Sequence, residues 1–242
     1  PQSKRRLSTV SSAIRVDSPM NIPSLSHNPE PQPWLSALQE SSRLIVEAAS
    51  KDRSWRNQLA TTQVVLVPLF DANSKENLNL TENLQTQLQK QGGGLKVSTI
   101  SQSLLPQAHY VVHSAIAIDK LSEGQVYDLN VWLRDAKTGR LLAHCLNKVL
   151  AQGLPYALTT ESKDSPVYTE PLNPNAKSFD IRQEMQRSNY PAHLQLEAIL
   201  ADAAKAYTNA QYAKALEFYE TAKNTKNGMS LRSLAGRYPC CA

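Results

Sequence analysis

The chain has 242 residues, of which 41% are hydrophobic and 19% are charged, and its formal net charge is +5 at pH 7. This length can hold one large domain or two small ones, and the hydrophobic content is sufficient for a buried core. No apolar run reaches the roughly 18 residues that a bilayer requires, so the sequence predicts no membrane-spanning helix.

The positive charge lies at the two ends of the chain. Residues 1–15 and 223–242 each contain four basic residues and no acidic residue. The remaining 18 basic and 21 acidic residues give the body between them a net charge of −3. Because nucleic-acid binding needs a basic surface on the folded body, the charge distribution argues against nucleic acid as a partner.

The first part of the chain predicts an arm followed by a helix. Residues 1–33 are rich in serine, proline and asparagine, and predict a disordered or extended arm. Residues 34–50 have helical periodicity, and a short helix is predicted at 54–60. The predicted buried face of the first helix consists of Leu35, Leu38, Ile45 and Ala49.

Residues 64–70, VVLVPLF, are continuously apolar and too short for a helix. They predict a strand buried on both faces, hence a central strand. A helix at 79–91, with Leu80, Leu84 and Leu88 in register, is followed by three glycines and a strand at 95–100. These glycines do not form a phosphate loop, because such loops lead from a strand into a helix and here the order is reversed.

Three further strands are predicted at 109–118, 126–135 and 141–150. In the second of them Tyr127, Leu129, Val131 and Leu133 alternate with the polar residues Asp128, Asn130 and Arg134, which we expect to point outward. Gly139 allows a hairpin turn at 135–140. The elements together predict an α/β (α+β) fold, with a mixed sheet of about five strands and flanking helices, over residues 34–152.

The C-terminal part is predicted to be helical. Residues 153–190 are proline-rich and predict a linker. Within 191–242, the segment 206–222, AYTNAQYAKALEFYETA, resembles one tetratricopeptide repeat, and an ordinary amphipathic hairpin is the alternative. One such repeat leaves an apolar face uncovered, so we expect a truncated repeat region that is less stable than the α/β domain and that self-associates.

The ordered set of segments over residues 60–152 resembles a group of bacterial envelope domains. The segments that carry the resemblance are ATTQVVLVPLFDAN, AHYVVHSAIAI and YDLNVWLRDAKTGRLLA. The group includes the curli-secretion lipoprotein, the lipoprotein activators of penicillin-binding proteins and the N-terminal domain of the Tol-system propeller protein. The resemblance implies a periplasmic or outer-membrane-associated module that docks other envelope proteins, although this chain shows neither a signal peptide nor a lipobox cysteine.

The sequence predicts no catalytic residue, cofactor or metal site. His109 and His113 lie about 13 Å apart along a strand, which is too far to share a metal. His113 can approach His144 or Cys145 across the sheet, and a hydrolase built around His113 and His144 is therefore the alternative function. A nucleic-acid-binding module is the second alternative. Cys145 itself is expected to be a buried, small apolar side chain.

The residues predicted to bind a partner protein lie in the C-terminal helices. They share an aromatic or large apolar side chain at helical spacing, and they are Tyr207, Tyr212, Leu216 and Tyr219. The same residues fit the interior of a helical repeat as well as a peptide groove. The leading hypothesis is a non-enzymatic cell-envelope protein that acts as a docking and assembly module.

Overall fold

The computed structural model describes residues 24–51, 62–72, 77–78, 80–93, 95–118, 126–154 and 189–225. The strands in these ranges are β1 (Ser24–Gln32), β2 (Gln63–Leu66), β3 (Phe70–Asp71), β4 (Lys96–Thr99), β5 (Tyr110–Ile118), β6 (Val126–Asp135) and β7 (Leu141–Leu150). The α-helices are α1 (Trp34–Lys51), α2 (Thr81–Gln91), α3 (Tyr190–Thr208) and α4 (Tyr212–Lys223). The predicted fold class, a mixed sheet with flanking helices and a C-terminal helical hairpin, is confirmed.

The strands form one sheet in the order β1-β7-β6-β5-β2-β4, with β3 beside β5. Strands β4, β2 and β5 run parallel, whereas β5, β6 and β7 form an antiparallel meander. The predicted hairpin turn is present, and Gly139 adopts φ +70°, in the region that glycine tolerates best. The sheet has two more strands than the sequence predicts, because β1 lies in the segment assigned to an arm and the strand predicted at 64–70 is divided into β2 and β3.

Strand β1 lies within the segment that the sequence assigns to an arm. It pairs in parallel with β7 at one edge of the sheet, and its register shifts between Asn28 and Gln32, where Pro29 and Pro31 lie. Proline has no N–H to donate to a ladder, and it is therefore found on edge strands and at irregularities. The prolines mark an edge strand here.

One face of the sheet is covered by α1 and α2. The core on this face includes Leu38, Ile45, Leu66, Leu84, Leu88, Val112, Leu129 and Leu133. The prediction that Leu35 belongs to the buried face is wrong, since it is 60% exposed. Trp34, one residue earlier and about 100° away around the helix, faces the core instead.

Helix α3 covers the opposite face of the sheet. This second core consists of Val65, Val67, Ile100, Ala108, Val111, Tyr190, Leu194, Ala198 and Ala201. The prediction that β2 is buried on both faces is confirmed, because Val64 and Leu66 pack under α1 and α2 while Val65 packs under α3. The expectation that Asn130 and Arg134 point outward to solvent is wrong, as both are buried on this second face.

The strand predicted at 64–70 is interrupted. Strand β2 ends at Leu66, and the chain resumes ladder pairing with β5 at Phe70 as β3. Pro68 lies between them, and it cannot donate a backbone hydrogen bond. On either side of the interruption, the backbone N–H groups of Val67 and Ala72 donate to the β5 carbonyls of Val112 and Ile116. These bonds keep the segment between β2 and β3 beside β5.

The outer edge of β4 is protected by α2. The side-chain amides of Gln85 and Gln89 both donate to the carbonyl oxygen of Val97, at 3.0 and 3.1 Å. An open strand edge offers unpaired backbone groups to other chains. The two glutamines occupy one such group, so strand addition is disfavoured at this point of β4.

Helices α3 and α4 form the C-terminal hairpin. Ala210 at the connection adopts φ +56°, and its N–H donates to the carbonyl of Tyr207 at 2.9 Å. The two helices share a small core of Leu196, Ile199, Leu200, Ala222, Phe218 and Tyr219. The tetratricopeptide assignment remains a prediction. The helix predicted at 54–60, residues 155–188 of the predicted linker and residues 226–242 lie outside the described part of the chain.

Helix α3 is a middle layer, because it packs on the sheet and also receives α4. We therefore expect the amides of α3 to exchange with solvent about as slowly as those of β5 and β6, and those of α4 to exchange faster. Native-state hydrogen exchange measures this difference. Fast exchange throughout α3 would show that its packing on the sheet does not persist in solution.

Candidate functional site

The two histidines of the predicted alternative site do not meet. His113 pairs with Trp132, and Trp132 pairs with His144, so the three residues lie side by side on adjacent strands. The ring of His113 stacks on Trp132, with centroids 5.3 Å apart and planes 7° from parallel. Since strands are spaced by about 4.8 Å, the tryptophan separates the histidine backbones by about 10 Å. The expectation that His113 approaches His144 is wrong.

Cys145 is not available to His113 either, because it lies on the other face of the sheet. It is fully buried beneath α1, where its Sγ is 3.9 Å from the Ser41 hydroxyl. Burial raises the pKa of the Cys145 thiol to about 11. A thiol with such a pKa is a poor nucleophile at neutral pH, in keeping with a structural role for this residue.

Each histidine of the alternative site has a local partner. Nε2 of His113 is 3.0 Å from the hydroxyl of Tyr190, and Nε2 of His144 is 3.0 Å from Oδ1 of Asn130. Because an amide oxygen only accepts, His144 donates through Nε2. Burial lowers the pKa of His144 to about 4, which keeps the ring neutral at physiological pH.

Tyr190 anchors α3 to the sheet. The guanidinium carbon of Arg134 lies 4.6 Å from the centre of its ring, and its hydroxyl meets His113. Gly139 lies against the Cβ, Cγ and Cδ1 atoms of Tyr190, since a Cβ built on Gly139 would approach Cδ1 to 2.6 Å. Sequence reasoning placed Tyr190 at the end of a linker and did not anticipate this role.

A buried polar contact joins α1 to β7. The side-chain amide of Asn147 donates to the Ser41 hydroxyl at 2.7 Å, and both residues are fully buried. Buried polar groups need such partners, so this contact specifies how α1 sits on the strand. The signal in the sequence is Asn147 at an inward position of an otherwise apolar strand face.

The four residues predicted to bind a partner divide into two pairs. Tyr207 and Tyr212 lie at the tip of the helical hairpin and are 39% and 49% exposed. Their rings meet edge to face, with centroids 5.4 Å apart. Leu216 and Tyr219 are half-buried, and Tyr219 packs against α3. The assignment of all four to partner binding remains a prediction.

The described residues contain no group of three or more His, Cys, Asp or Glu side chains that could hold a metal ion. Likewise, none of the helices in these ranges combines the length and hydropathy needed to cross a bilayer.

Comparisons with known proteins give weak structural likenesses. No protein-family model matches the sequence, and no curated protein matches it. The chain is similar to the LpoB C-terminal domain from Salmonella enterica, with 14% identity, a TM-score of 0.33, and coverage of 47% of this chain and 98% of that one. The corresponding domain from Escherichia coli gives 13% identity, a TM-score of 0.32, and coverage of 46% and 97%.

The NMR structure of E. coli LpoB gives 15% identity and a TM-score of 0.31, with coverage of 61% of this chain and 84% of that one. All three TM-scores are low.

The contact between Gly139 and Tyr190 can be tested by substitution. Gly139→Ala adds a Cβ at a positive φ and against the Tyr190 ring, so we expect a loss of about 2–4 kcal/mol in the free energy of unfolding. Gly153→Ala is the matched control, because Gly153 also has a positive φ but no atom lies within 4 Å of its built Cβ. Urea denaturation compares the two, and equal losses would contradict the anchoring role of Tyr190.

The neutral state of His144 predicts a pH dependence. Its folded pKa is about 4 against 6.5 for the exposed side chain, so the unfolded chain takes up the proton first as the pH falls. The stability is therefore fully present above pH 6.5 and decreases towards pH 4, by about 2–3 kcal/mol. His144→Gln keeps a donor for Asn130 and removes the titration. The free energies of unfolding of the two proteins, measured by denaturation at a series of pH values, should converge as the pH falls. A constant difference between them at all pH values would contradict the prediction.

Proposed function

We propose that this chain is a non-enzymatic cell-envelope protein, periplasmic or outer-membrane-associated, that acts as a docking and assembly module for other envelope proteins. The observation that carries the proposal is the exposed pair of Tyr207 and Tyr212 at the tip of the C-terminal hairpin. Leu35, on α1, is the other large hydrophobic side chain that is exposed in the described part of the chain.

The tyrosine pair has the properties of a protein-binding site. Tyrosine is enriched among the residues that dominate binding energy, because it offers a large apolar ring and a hydrogen-bonding hydroxyl. The edge-to-face contact restrains both rings before binding, which reduces the entropy lost on association. A shallow surface beside Tyr212, formed by Ala210, Gln211, Ala213 and Lys214, adds small, polar and charged contacts at the rim.

The two helices that carry this surface are packed against the rest of the protein. Leu194, Ala198 and Ala201 of α3 are buried against the sheet, and Ala215 and Ala222 of α4 are completely buried. A site held on rigid elements binds with a smaller ordering cost than one on a free segment. The α/β domain thus serves as the platform, and the hairpin tip serves as the contact surface.

The compartment rests on the resemblance of residues 60–152 to bacterial envelope domains, whose implied partners are envelope proteins. The hydrolase alternative loses its geometric basis, because Trp132 stands between His113 and His144. In addition, His144 is half-buried, and its ring makes a hydrogen bond to Asn130.

A capture experiment tests the docking surface. Tagged wild-type chain is incubated with solubilised envelope extract, beside Tyr207→Ala/Tyr212→Ala and the matched control Leu35→Ala, which also removes an exposed large apolar side chain. We expect wild type and the control to retain the same envelope proteins and the double tyrosine variant to lose at least about tenfold in binding, or ~1.4 kcal/mol.

Two results would contradict the proposal. Capture of cytosolic proteins alone would refute the compartment, and an unchanged capture by the double tyrosine variant would refute the site. Sedimentation velocity of the three proteins shows whether the tyrosine pair instead mediates association between copies of this chain. Circular dichroism confirms that each variant is folded.

A further inference from the structure

A basic cavity lies at the end of the sheet where β2, β4 and β5 begin. It has a volume of about 310 Å³, and three of its lining residues are Lys96, His109 and Lys137. This volume is close to the lower limit of small-molecule sites, about 300 Å³, and suits a ligand with few atoms. It shares no lining residue with the surface beside Tyr212 at the tip of the helical hairpin.

Backbone pairing brings the three side chains together from distant parts of the sequence. Gln63 pairs with Lys96 at the start of β2 and β4, and its carbonyl accepts a hydrogen bond from the His109 N–H at 2.9 Å. The His109 carbonyl in turn accepts from the Ala136 N–H at 3.0 Å. Lys137, the next residue, is thereby held beside His109.

The hairpin turn that carries Lys137 is itself well ordered by hydrogen bonds. Oδ1 of Asp135 accepts from the N–H groups of Lys137 and Thr138, at 3.0 and 2.7 Å, and from the Thr138 hydroxyl at 2.8 Å. This carboxylate oxygen is engaged within the turn, and Asp135 does not line the cavity. The described lining contains no acidic residue at all.

The basic side chains of the cavity offer hydrogen-bond donors. Nδ1 of His109 accepts from the backbone N–H of Gln63 at 3.2 Å, so the neutral ring carries its proton on Nε2. Lys96 and Lys137 each supply an ammonium group with three donors. Two positive charges and an imidazole N–H, positioned on three different elements, favour an anion with several acceptor oxygens.

We propose that the basic cavity binds a phosphate group. Phosphate presents oxygens in several directions, which suits donors carried by β4, by the residue before β5 and by the β6–β7 turn. Lysine is a common phosphate ligand, and it binds the group as a point charge. The group can belong to a small phosphorylated molecule or to a lipid headgroup, and the chemistry of recognition is the same.

The test uses inorganic phosphate as the probe and the full chain as the receptor. Phosphate replaces chloride at constant ionic strength, and backbone amide shifts are followed by NMR. We expect saturable shifts at Gln63, Lys96, His109 and Lys137 with a Kd of about 1 mM or tighter. Lys96→Gln/Lys137→Gln should weaken binding at least about tenfold.

The matched control is Lys90→Gln/Lys205→Gln, which removes the same charge from exposed positions on α2 and α3. It should change the affinity less than about twofold, since long-range effects between exposed charges are screened by salt. An equal loss in both double variants would show a general charge effect and overturn the proposal. An absence of saturable shifts in the wild-type chain would overturn it too.

Vesicle sedimentation distinguishes the two sources of phosphate. Phosphatidylcholine vesicles with and without phosphatidic acid are compared. Binding that requires phosphatidic acid and is lost in Lys96→Gln/Lys137→Gln supports a lipid headgroup, whereas binding of inorganic phosphate alone supports a soluble ligand. Tyr207→Ala/Tyr212→Ala should leave phosphate binding unchanged, so the result is independent of the docking surface.

Discussion

The burial of β2 and β5 on both faces is the constraint on which the rest of the structure depends. Val65 and Val111 are apolar residues that point away from α1 and α2, and leaving them in water would cost about 25 cal/mol per Å² of apolar surface. A second helical layer is therefore required, and α3 supplies it. The apolar residues at the centre of the sheet therefore also hold the C-terminal hairpin against it.

The same constraint explains why polar residues of the sheet are buried beneath α3. His113 and Arg134 lie on the face that α3 covers, and Tyr190 at the start of α3 meets them with its hydroxyl and its ring. A buried polar group without a partner destabilises a fold by about 1–3 kcal/mol. The histidine that looked like a catalytic candidate is accordingly part of the contact between α3 and the sheet, and the two proposed surfaces lie elsewhere.

The two proposed surfaces arise in different ways. The tyrosine pair belongs to two consecutive helices and is separated by five positions, so it is visible in the sequence, and only its exposure needs the structure. The basic cavity combines Lys96, His109 and Lys137, which are distant in the chain. They line one cavity because the parallel strands β2, β4 and β5 begin at the same end of the sheet, where the β6–β7 turn is bonded to His109 through the Ala136 N–H. No periodicity or motif in the sequence connects these three residues, so their proximity cannot be predicted from the sequence.

By itself the sequence determined the elements with strong local patterns: the helix at 79–91, the strand pairs around Gly139, and the double burial of Val64 to Leu66. These elements depend on short-range periodicity and turn chemistry, which involve only residues close together in the sequence. The tertiary structure alone decided that residues 24–32 pair with β7, that Trp132 separates His113 from His144, and that Tyr190 packs on Gly139. Such contacts join residues far apart in the chain, and local preference carries no information about which distant partner a residue meets.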